Sequence, residues 1–308
     1  ESETLCTEIT SIVTDNNSNT IKFITNSDIT NTVRSTTEEE QSYSFVVNGT
    51  TLEIHTNADE FMAPSDCGNM FRGLSTITSI NFNNAFNTSN VTNMSYMFSG
   101  CGALTTLDVS NFDTSNVANM NSMFSGCEAL TALDVSNFDT SNVTNMYGMF
   151  NKCRALKTLD LSNFDTSNVT TMGSMFQNCG VLTSVDISSF NTANVTNMSS
   201  MFFCCYALKS LDVSHFNTSN VTNMSCLFGY CQALTSLDVK NFDTSKVTNM
   251  QQMFDECNVL SKLDVSNFDT SNVTKMGNMF RKCKALKTLD LSNFNTSNVT
   301  NMSNMFND

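Results

Sequence analysis

The sequence is poor in proline, histidine and basic residues, and it has no tryptophan. Its 308 residues include one Pro, two His and 15 Lys or Arg against 29 Asp or Glu, which gives a formal net charge of −14. Without a basic patch to replace phosphate counterions, the chain is not expected to bind nucleic acid or an anionic membrane surface. No apolar run approaches the roughly 18 residues that span a bilayer, so we expect no direct membrane insertion.

Motifs for catalysis and metal binding are also missing. The sequence contains no Gly-rich phosphate loop, no nucleophile elbow and no H-E-x-x-H. Its 12 cysteines form no C-x-x-C, the spacing that a closed zinc site usually shows. We therefore expect a protein that is not an enzyme and that uses no cofactor and no metal. The chain begins at Glu1 without an apolar leader, so any signal peptide is expected to have been removed or left out of this sequence.

A 26-residue sequence is repeated along most of the chain. We number the positions of the repeat from Leu133, which is position 1. Position 1 recurs every 26 residues, as Leu107, Leu133, Leu159, Val185, Leu211, Leu237, Leu263 and Leu289. A degenerate earlier copy begins near Ile80 and carries one extra residue around Ala85. Positions 6 and 18 hold 18 of the 24 Phe, and positions 14 and 17 hold 17 of the 19 Met. Self-similarity at this period indicates a solenoid or array.

Two periodicities alternate within each repeat. Leu133 and Val135 flank an outward Asp134, the alternation of a short strand. In residues 143–153, Val, Met, Phe and Cys recur every three or four residues, as on one face of a helix or helix-like turn. The Asp-Thr-Ser-Asn segment at 139–142 offers oxygens that could cap such a helix. Each repeat is therefore predicted to contain a strand, a turn, a short helix and a return.

The motif C-x-x-L-x-x-L-D-V-S-N-F-D-T-S-N-V-T-N-M-x-x-M-F resembles the repeat of BspA-like bacterial surface proteins, which are leucine-rich-repeat relatives. The resemblance covers residues 67–308, and FMAPSDCGNMF at 61–71 is similar to the lead-in of that family. It implies an α/β solenoid, leucine-rich-repeat-like, with a parallel sheet of about nine repeats and short helices or turns on the other face. It also implies a secreted or wall-attached location and a role in adhesion or host interaction.

Residues 1–66 lie outside the repeat. YSFVVNGTTLEIHT at 43–56 alternates around Asn48-Gly49, which predicts a type I′ hairpin, and IKFIT at 21–25 predicts a further strand. The polar segment 31–41 is predicted to be a loop. We interpret 1–66 as a small β-rich N-terminal cap and 67–308 as the solenoid. Because the last repeat stops at Asp308 without a cap, we expect the solenoid to be truncated at its C-terminal end.

The cysteines fall into two groups. Eight of them occupy position 21, from Cys101 to Cys283. A thiolate column could bind soft metals, but Leu74 takes the matching place in the degenerate repeat, which favours buried thiols that act as small apolar side chains. The other four are expected to form two candidate disulfides in an oxidising compartment, with Cys204 and Cys226 exposed. The candidate pairs are Cys6–Cys67 and Cys204–Cys226.

Position 2 predicts a column of outward carboxylates about 5 Å apart. Its members are Asp108, Asp134, Asp160, Asp186, Asp212, Asp238, Asp264 and Asp290. The column could bind cations or a basic partner, or it could be a solvated face whose repulsion is softened by nearby lysines and hydroxyls. The solvated face is favoured because calcium requires several oxygens that converge from loops.

Positions 15, 16, 19, 20 and 22 of the repeat vary most. They mostly hold small or polar residues, but large side chains replace these in some repeats. The candidate binding aromatics are Phe203, Tyr206, Tyr230 and Tyr147. A cluster of exposed aromatics can form an interface, and packing against a neighbouring repeat is the alternative. A local basic patch is predicted from Lys275, Arg281, Lys282 and Lys284.

These features favour a non-catalytic protein, secreted or at the cell surface, that binds a protein or glycan of a host or neighbouring cell. The alternative is a structural spacer that displays another domain and has no ligand of its own. We expect the chain to be monomeric.

Overall fold

A computed structural model describes residues 2–27, 34–38 and 41–308. The elements in these ranges are α1 (Ser2–Asn16), β1 (Thr20–Ile24), β2 (Arg34–Glu38), β3 (Gln41–Asn48), β4 (Thr51–His55), β5 (Phe61–Met62), β6 (Ser79–Asn81), β7 (Phe86–Asn87), β8 (Thr158–Asp160), β9 (Ser184–Asp186), β10 (Ser236–Leu237) and β11 (Lys262–Leu263). Within the described residues, no helix has the length and apolar character needed to cross a membrane.

The N-terminal region is built on a five-stranded sheet with the order β2-β3-β4-β1-β6. The pairs β2–β3 and β3–β4 are antiparallel, whereas β1 runs parallel to both β4 and β6. Strand β6 belongs to the first repeat, so this sheet joins the N-terminal region to the repeats. Helix α1 buries one face, made of Leu5, Ile9, Ile12 and Val13. This spacing is that of an amphipathic helix.

Several predictions for residues 1–66 can be compared with these elements. Strand β1 and the β3–β4 hairpin are confirmed, but Asn48 pairs with Thr51, so Gly49 and Thr50 form the loop. Gly49 has φ +60° while Thr50 keeps a negative φ, which is typical of a type II′ turn rather than type I′. The sequence did not predict α1.

The predicted loop at 31–41 contains strand β2. Its pairing with β3 overrides the polar composition of the segment. Residues 31–33 and 39–40 of this segment lie outside the described residues.

Neighbouring repeats pair in parallel register. Nine isolated bridges link position 13 of one repeat to position 13 of the next, and they run from Asp66–Asn93 to Lys275–Asn301. In the turn half, alternate N–H groups donate to the following repeat, as Met146 does to Thr171 O at 3.1 Å. On the other side, the N–H of Thr144 donates back to Ala118 O at 2.9 Å. Each repeat therefore depends on its neighbours for backbone hydrogen bonds.

The strands of the repeats are shorter than the sequence predicted. Strands β8–β9 and β10–β11 pair in parallel, but the described repeats form no continuous nine-stranded sheet. The position-2 carboxylate limits the strand, since Asp134 Oδ1 accepts a hydrogen bond from the Ser136 N–H at 2.9 Å. A second turn then closes from the Phe138 N–H to Val135 O at 3.0 Å. The chain therefore turns away directly after position 2.

Turns, not short helices, occupy positions 14–21. In the Leu133 repeat, the Met149 N–H bonds to Met146 O and the Cys153 N–H bonds to Phe150 O. The third residues of these turns, Gly148 and Lys152, have φ of +61° and +59°. An i to i+3 hydrogen bond with a left-handed third residue defines a type II turn, and such a residue does not continue a helix. Two consecutive turns therefore reproduce the helical spacing of apolar residues.

The repeated apolar residues form one core. Ten position-18 rings stack from Phe71 to Phe306, with centroids 5.3–6.0 Å apart and planes within 4–18°. The position-14 and position-17 methionines between Met94 and Met279 are fully buried beside this column. Burial of these side chains on both faces of each repeat is what a single repeat could not achieve alone.

Buried hydroxyl groups connect the repeats on the side of position 8. Eight threonines, from Thr88 to Thr270, donate Oγ1 to the position-7 carbonyl of the next repeat at 2.8–3.0 Å. These threonines are buried, so each hydroxyl needs such a partner. The repeated threonine is therefore explained by contacts between repeats.

Candidate functional site

The position-2 aspartates are exposed along the strand side of the repeats. Asp108 Oδ1 accepts hydrogen bonds from the Ser110 hydroxyl at 2.6 Å and the Ser110 N–H at 3.0 Å. These bonds favour the ionised form and lower the pKa of the Asp108 carboxyl. Bonds from the serine two residues later also lower the carboxyl pKa of Asp134, Asp186, Asp212, Asp264 and Asp290. Each aspartate therefore has a local role in ending the strand.

Three open grooves lie on this strand side. The first, about 450 Å³, is bordered by Asp108 and Asp134. The second, about 410 Å³, contains Asp160, Asp186 and Asp212, and the third, about 350 Å³, contains Asp238 and Asp264. The structure thus brings seven of the eight position-2 aspartates to grooves of one face, whereas Asp290 lies in none of these three.

A second set of carboxylates at position 7 was missed by the sequence reasoning. Asp139 Oδ1 accepts the Ser141 hydroxyl at 2.6 Å and its N–H at 3.0 Å, and these bonds lower the pKa of the Asp139 carboxyl. Asn191 accepts the equivalent N–H of Ala193, so an amide can replace this carboxylate. The 26-residue spacing that identifies the aspartates of position 2 also identifies those of position 7. None of the three grooves is lined by a position-7 side chain.

Three of the four candidate aromatics pack against a glycine one repeat away. A Cβ on Gly173 would lie 2.9 Å from the Tyr147 ring, one on Gly229 would lie 3.0 Å from Phe203, and one on Gly180 would lie 3.2 Å from Tyr206. In each pair the two residues are separated by 26 positions. Tyr147 and Tyr206 nevertheless stay 39% and 44% exposed.

Tyr230 joins Phe203 in the predicted cluster. Their ring centroids lie 5.3 Å apart in an edge-to-face arrangement. The Tyr230 hydroxyl also accepts a hydrogen bond from Arg281 Nη2 at 2.9 Å. Phe203 and Tyr230 are half-buried, while Tyr147 packs two repeats earlier. These contacts fit the packing alternative better than a free aromatic interface.

The predicted basic patch is partly neutralised. Arg281 makes a paired contact with Asp255, with Nε–Oδ1 at 2.8 Å and Nη2–Oδ2 at 3.0 Å. Lys282 Nζ lies 2.6 Å from Glu256 Oε1. Both acids precede their partners by one repeat, and the Asp255 side chain is fully buried. Acidic partners in the preceding repeat, which the prediction did not consider, therefore offset two of the four cations.

The position-21 cysteines are buried small side chains. Those from Cys101 to Cys257 are at most 1% exposed, and Cys283 is half-buried. Each thiol donates to the position-18 carbonyl of the preceding repeat, as Cys153 does to Phe124 O at 3.3 Å. Burial raises the pKa of the Cys153 thiol well above its ordinary value. The column therefore holds protonated thiols, which are poor metal ligands.

The four remaining cysteines form no disulfide among the described residues. Cys6 Sγ donates to Asn69 O at 2.8 Å, and Cys67 Sγ donates to Pro64 O at 3.2 Å. The expectation of two exposed thiols is wrong for Cys204, which is 7% exposed, and Cys226 is half-buried. The Cys204 thiol hydrogen-bonds with the Tyr206 hydroxyl, and this contact helps to cover a thiol that the small, polar residues of its position predict to lie in solvent. Neither candidate bond is present in this structure.

Both histidines have structural contacts. His215 Nε2 lies 3.1 Å from Ile187 O, and it thereby replaces the asparagine that bonds the preceding repeat at position 5. His55 contacts Ser27 Oγ at 2.9 Å and Glu53 Oε2 at 3.0 Å. In the part of the chain that the structure describes, no group of three or more His, Cys, Asp or Glu residues could hold a metal ion.

Comparison with known proteins places the repeats in a family. A family model described as "Mycoplasma protein of unknown function, DUF285" matches residues 65–179, 148–237 and 228–308. The three overlapping matches together span residues 65–308, the whole repeat region. No curated protein and no solved structure matches the chain. The chain therefore belongs to the DUF285 family of Mycoplasma proteins of unknown function.

Proposed function

We propose that this chain is a non-catalytic binding protein, secreted or displayed on the cell surface, whose strand side binds a protein or glycan of a host or neighbouring cell. In this proposal the stacked repeats form a leucine-rich-repeat-like solenoid of the BspA-like type. Membership of a Mycoplasma repeat family is compatible with a surface protein.

The observation that carries the proposal is the succession of three grooves along one face. Each groove is open to solvent and bordered by at least two position-2 carboxylates. A regular row of shallow grooves bordered by carboxylates suits an extended macromolecule better than a small substrate, which requires a single enclosed pocket. The net charge of −14 would steer cationic surfaces towards this face.

A structural spacer without a ligand is the second candidate. The uninterrupted bridges and the stacked phenylalanine rings favour it, because they make a stiff rod from repeats with the same contacts. The two candidates differ in whether the strand side has to be intact. A spacer tolerates any exposed substitution that leaves the fold unchanged, whereas a binding protein does not.

The test compares two variants that remove the same charge. The groove variant carries Asp160→Asn, Asp186→Asn, Asp238→Asn and Asp264→Asn. The matched control carries Asp139→Asn, Asp165→Asn, Asp243→Asn and Asp269→Asn. All eight side chains accept an N–H two residues later, so the two variants disturb similar turns.

The readout is retention of fluorescently labelled chain on epithelial cell monolayers and on surfaces coated with extracellular-matrix protein. We expect the groove variant to lose about tenfold or more in affinity and the control to stay within about twofold. Equal retention of wild type and both variants, or no retention of wild type, would refute the binding proposal and favour the spacer.

A further inference from the structure

The first groove lies at the only repeat whose length differs from 26 residues. The extra residue near Ala85 is accommodated by Asn83 and Asn84, which both have left-handed φ values of +53° and +51°. The segment closes with a hydrogen bond from the Ala85 N–H to Phe82 O at 3.1 Å. Strand β7 directly afterwards pairs with β5, so the core side of the segment is fixed. The insertion is therefore displaced outward, where it forms one wall of the groove.

The groove combines an apolar floor with a polar rim. The floor is formed by Ile80, Phe82 and Leu107, whose side chains are 6–8% exposed. The exposed rim consists of Asn81, Asn83, Asn84, Asn111, Asp108 and Asp134. Apart from the two carboxylates, no ionisable side chain lines the groove.

The rim side chains are held in place by the protein itself. Asn111 Nδ2 donates to Asn84 Oδ1 at 2.6 Å, which links the inserted segment to the next repeat. Asp108 and Asp134 each use Oδ1 to accept the N–H of the serine two residues later. This arrangement leaves Oδ2 of each carboxylate as the acceptor for a ligand. Two positioned anions above an apolar floor fit a side chain with an aliphatic stem and a cationic head.

We propose that this groove binds a lysine or arginine side chain of an extended basic segment in a partner protein. The stem packs on Phe82 and Leu107, and the cation lies between Asp108 and Asp134. Charge complementarity supports this occupant, since the groove has two anions, no cation and a chain of net charge −14 around it. A saccharide is a poorer fit because a sugar stacks on a whole exposed ring face, and the Phe82, Phe86 and Phe112 rings are only 3–7% exposed. The narrower aliphatic stem requires only the small exposed area of Phe82 and Leu107.

This inference rests on the proposed function and assigns its partner class. Fluorescein-labelled oligolysine is the probe, and the same peptide with every ε-amine acetylated is its neutral counterpart. The binding variant is Asp108→Asn with Asp134→Asn. The matched control is Asp113→Asn with Asp139→Asn, which removes two exposed position-7 carboxylates from the same two repeats; neither of them lines any of the three grooves.

Fluorescence anisotropy of the full chain should show binding of oligolysine that the Asp108/Asp134 variant weakens about tenfold or more and the control weakens by less than about twofold. The acetylated peptide should not bind. Equal losses in the two variants would mean unspecific attraction to a negative surface and would overturn the site. Equal binding of the acetylated peptide, or displacement of oligolysine by a neutral oligosaccharide, would overturn the cationic occupant.

The two hypotheses can fail separately. If the Asp160, Asp186, Asp238 and Asp264 variant still loses cell retention while Asp108 and Asp134 prove irrelevant to oligolysine, only the first-groove assignment fails. If the wild-type chain binds oligolysine at the first groove but is not retained on any cell or matrix surface, the proposed adhesion function fails and the site remains.

Discussion

Replacing Arg281 by methionine is expected to destabilise the Leu237 and Leu263 repeats by about 3 kcal/mol, because it leaves a buried carboxylate without its cation. The Asp255 side chain is 0% exposed, whereas that of Arg281 is 24% exposed. Loss of one partner of a buried pair costs about 3–5 kcal/mol. The lower end applies here because Gln252 Nε2 still donates to Asp255 Oδ2 at 3.0 Å and solvent reaches Arg281.

The chain contains a matched control in Arg154, which faces Glu128 from the same position of the next repeat. Their Nε–Oε1 distance is 3.6 Å and their side chains are 57% and 48% exposed. An exposed ion pair of this kind contributes at most about 1 kcal/mol. Arg154→Met makes the same chemical change as Arg281→Met without stranding a buried charge, so the difference between them measures the burial of Asp255.

Hydrogen exchange of backbone amides is the suitable assay, because stacked repeats open locally and need not unfold as one unit. Arg281→Met should raise exchange rates of protected amides in the two affected repeats about 100-fold, and Arg154→Met should change those near it by less than about tenfold. Adding Asp255→Asn to Arg281→Met should recover part of the loss, since a neutral amide needs no cation. Similar effects of the two single substitutions would refute the reasoning.

Three further predictions concern packing, acid stability and thiol chemistry. In urea unfolding, Gly229→Ala should destabilise the protein by about 1–3 kcal/mol more than Gly173→Ala does. A Cβ at residue 229 meets the Gln252 backbone carbonyl at 2.9 Å, whereas a Cβ at residue 173 meets the movable, exposed Tyr147 ring. Equal urea midpoints would contradict this. Serine hydrogen bonds lower the carboxyl pKa of residues such as Asp108 below 3.8, so the unfolded chain binds more protons than the folded chain at acidic pH. The free energy of unfolding should therefore fall only as the pH drops below about 3.8. A urea midpoint that declines already near pH 6 would point to other groups. Burial raises the thiol pKa of both Cys205 and Cys226, but Cys205 is fully buried and Cys226 only half-buried. Iodoacetamide should therefore alkylate Cys226 before Cys205 in the native protein. Mass spectrometry that finds Cys205 modified earlier would rule out the buried column.

The period and the core could be predicted from the sequence because they depend on which residues recur. Every Phe at position 18 from Phe98 to Phe280 is buried, as the constant spacing indicated. The turn half could not be predicted from apolar spacing alone, since paired type II turns and a helix place apolar residues at the same intervals. Gly100, Gly126 and Asn178 at position 20 carried a weak signal, because such residues favour left-handed φ. The tyrosine, lysine and cysteine found at the same position in other repeats obscured it.

The variable positions become informative when residues 26 apart are compared in pairs. Tyr147 with Gly173, Phe203 with Gly229 and Arg281 with Asp255 each occupy one position in adjacent repeats, and each pair is in contact. Because neighbouring repeats lie in parallel register, a large or charged side chain meets the residue at the same position of an adjacent repeat, in addition to any partner in its own repeat. Pairing residues 26 apart does not predict whether a pair is buried. Arg154 and Glu128 are paired in the same way, yet both side chains remain exposed. Nearly identical repeats would stack equally well in a shifted register, so these complementary pairs also make the native register energetically distinct.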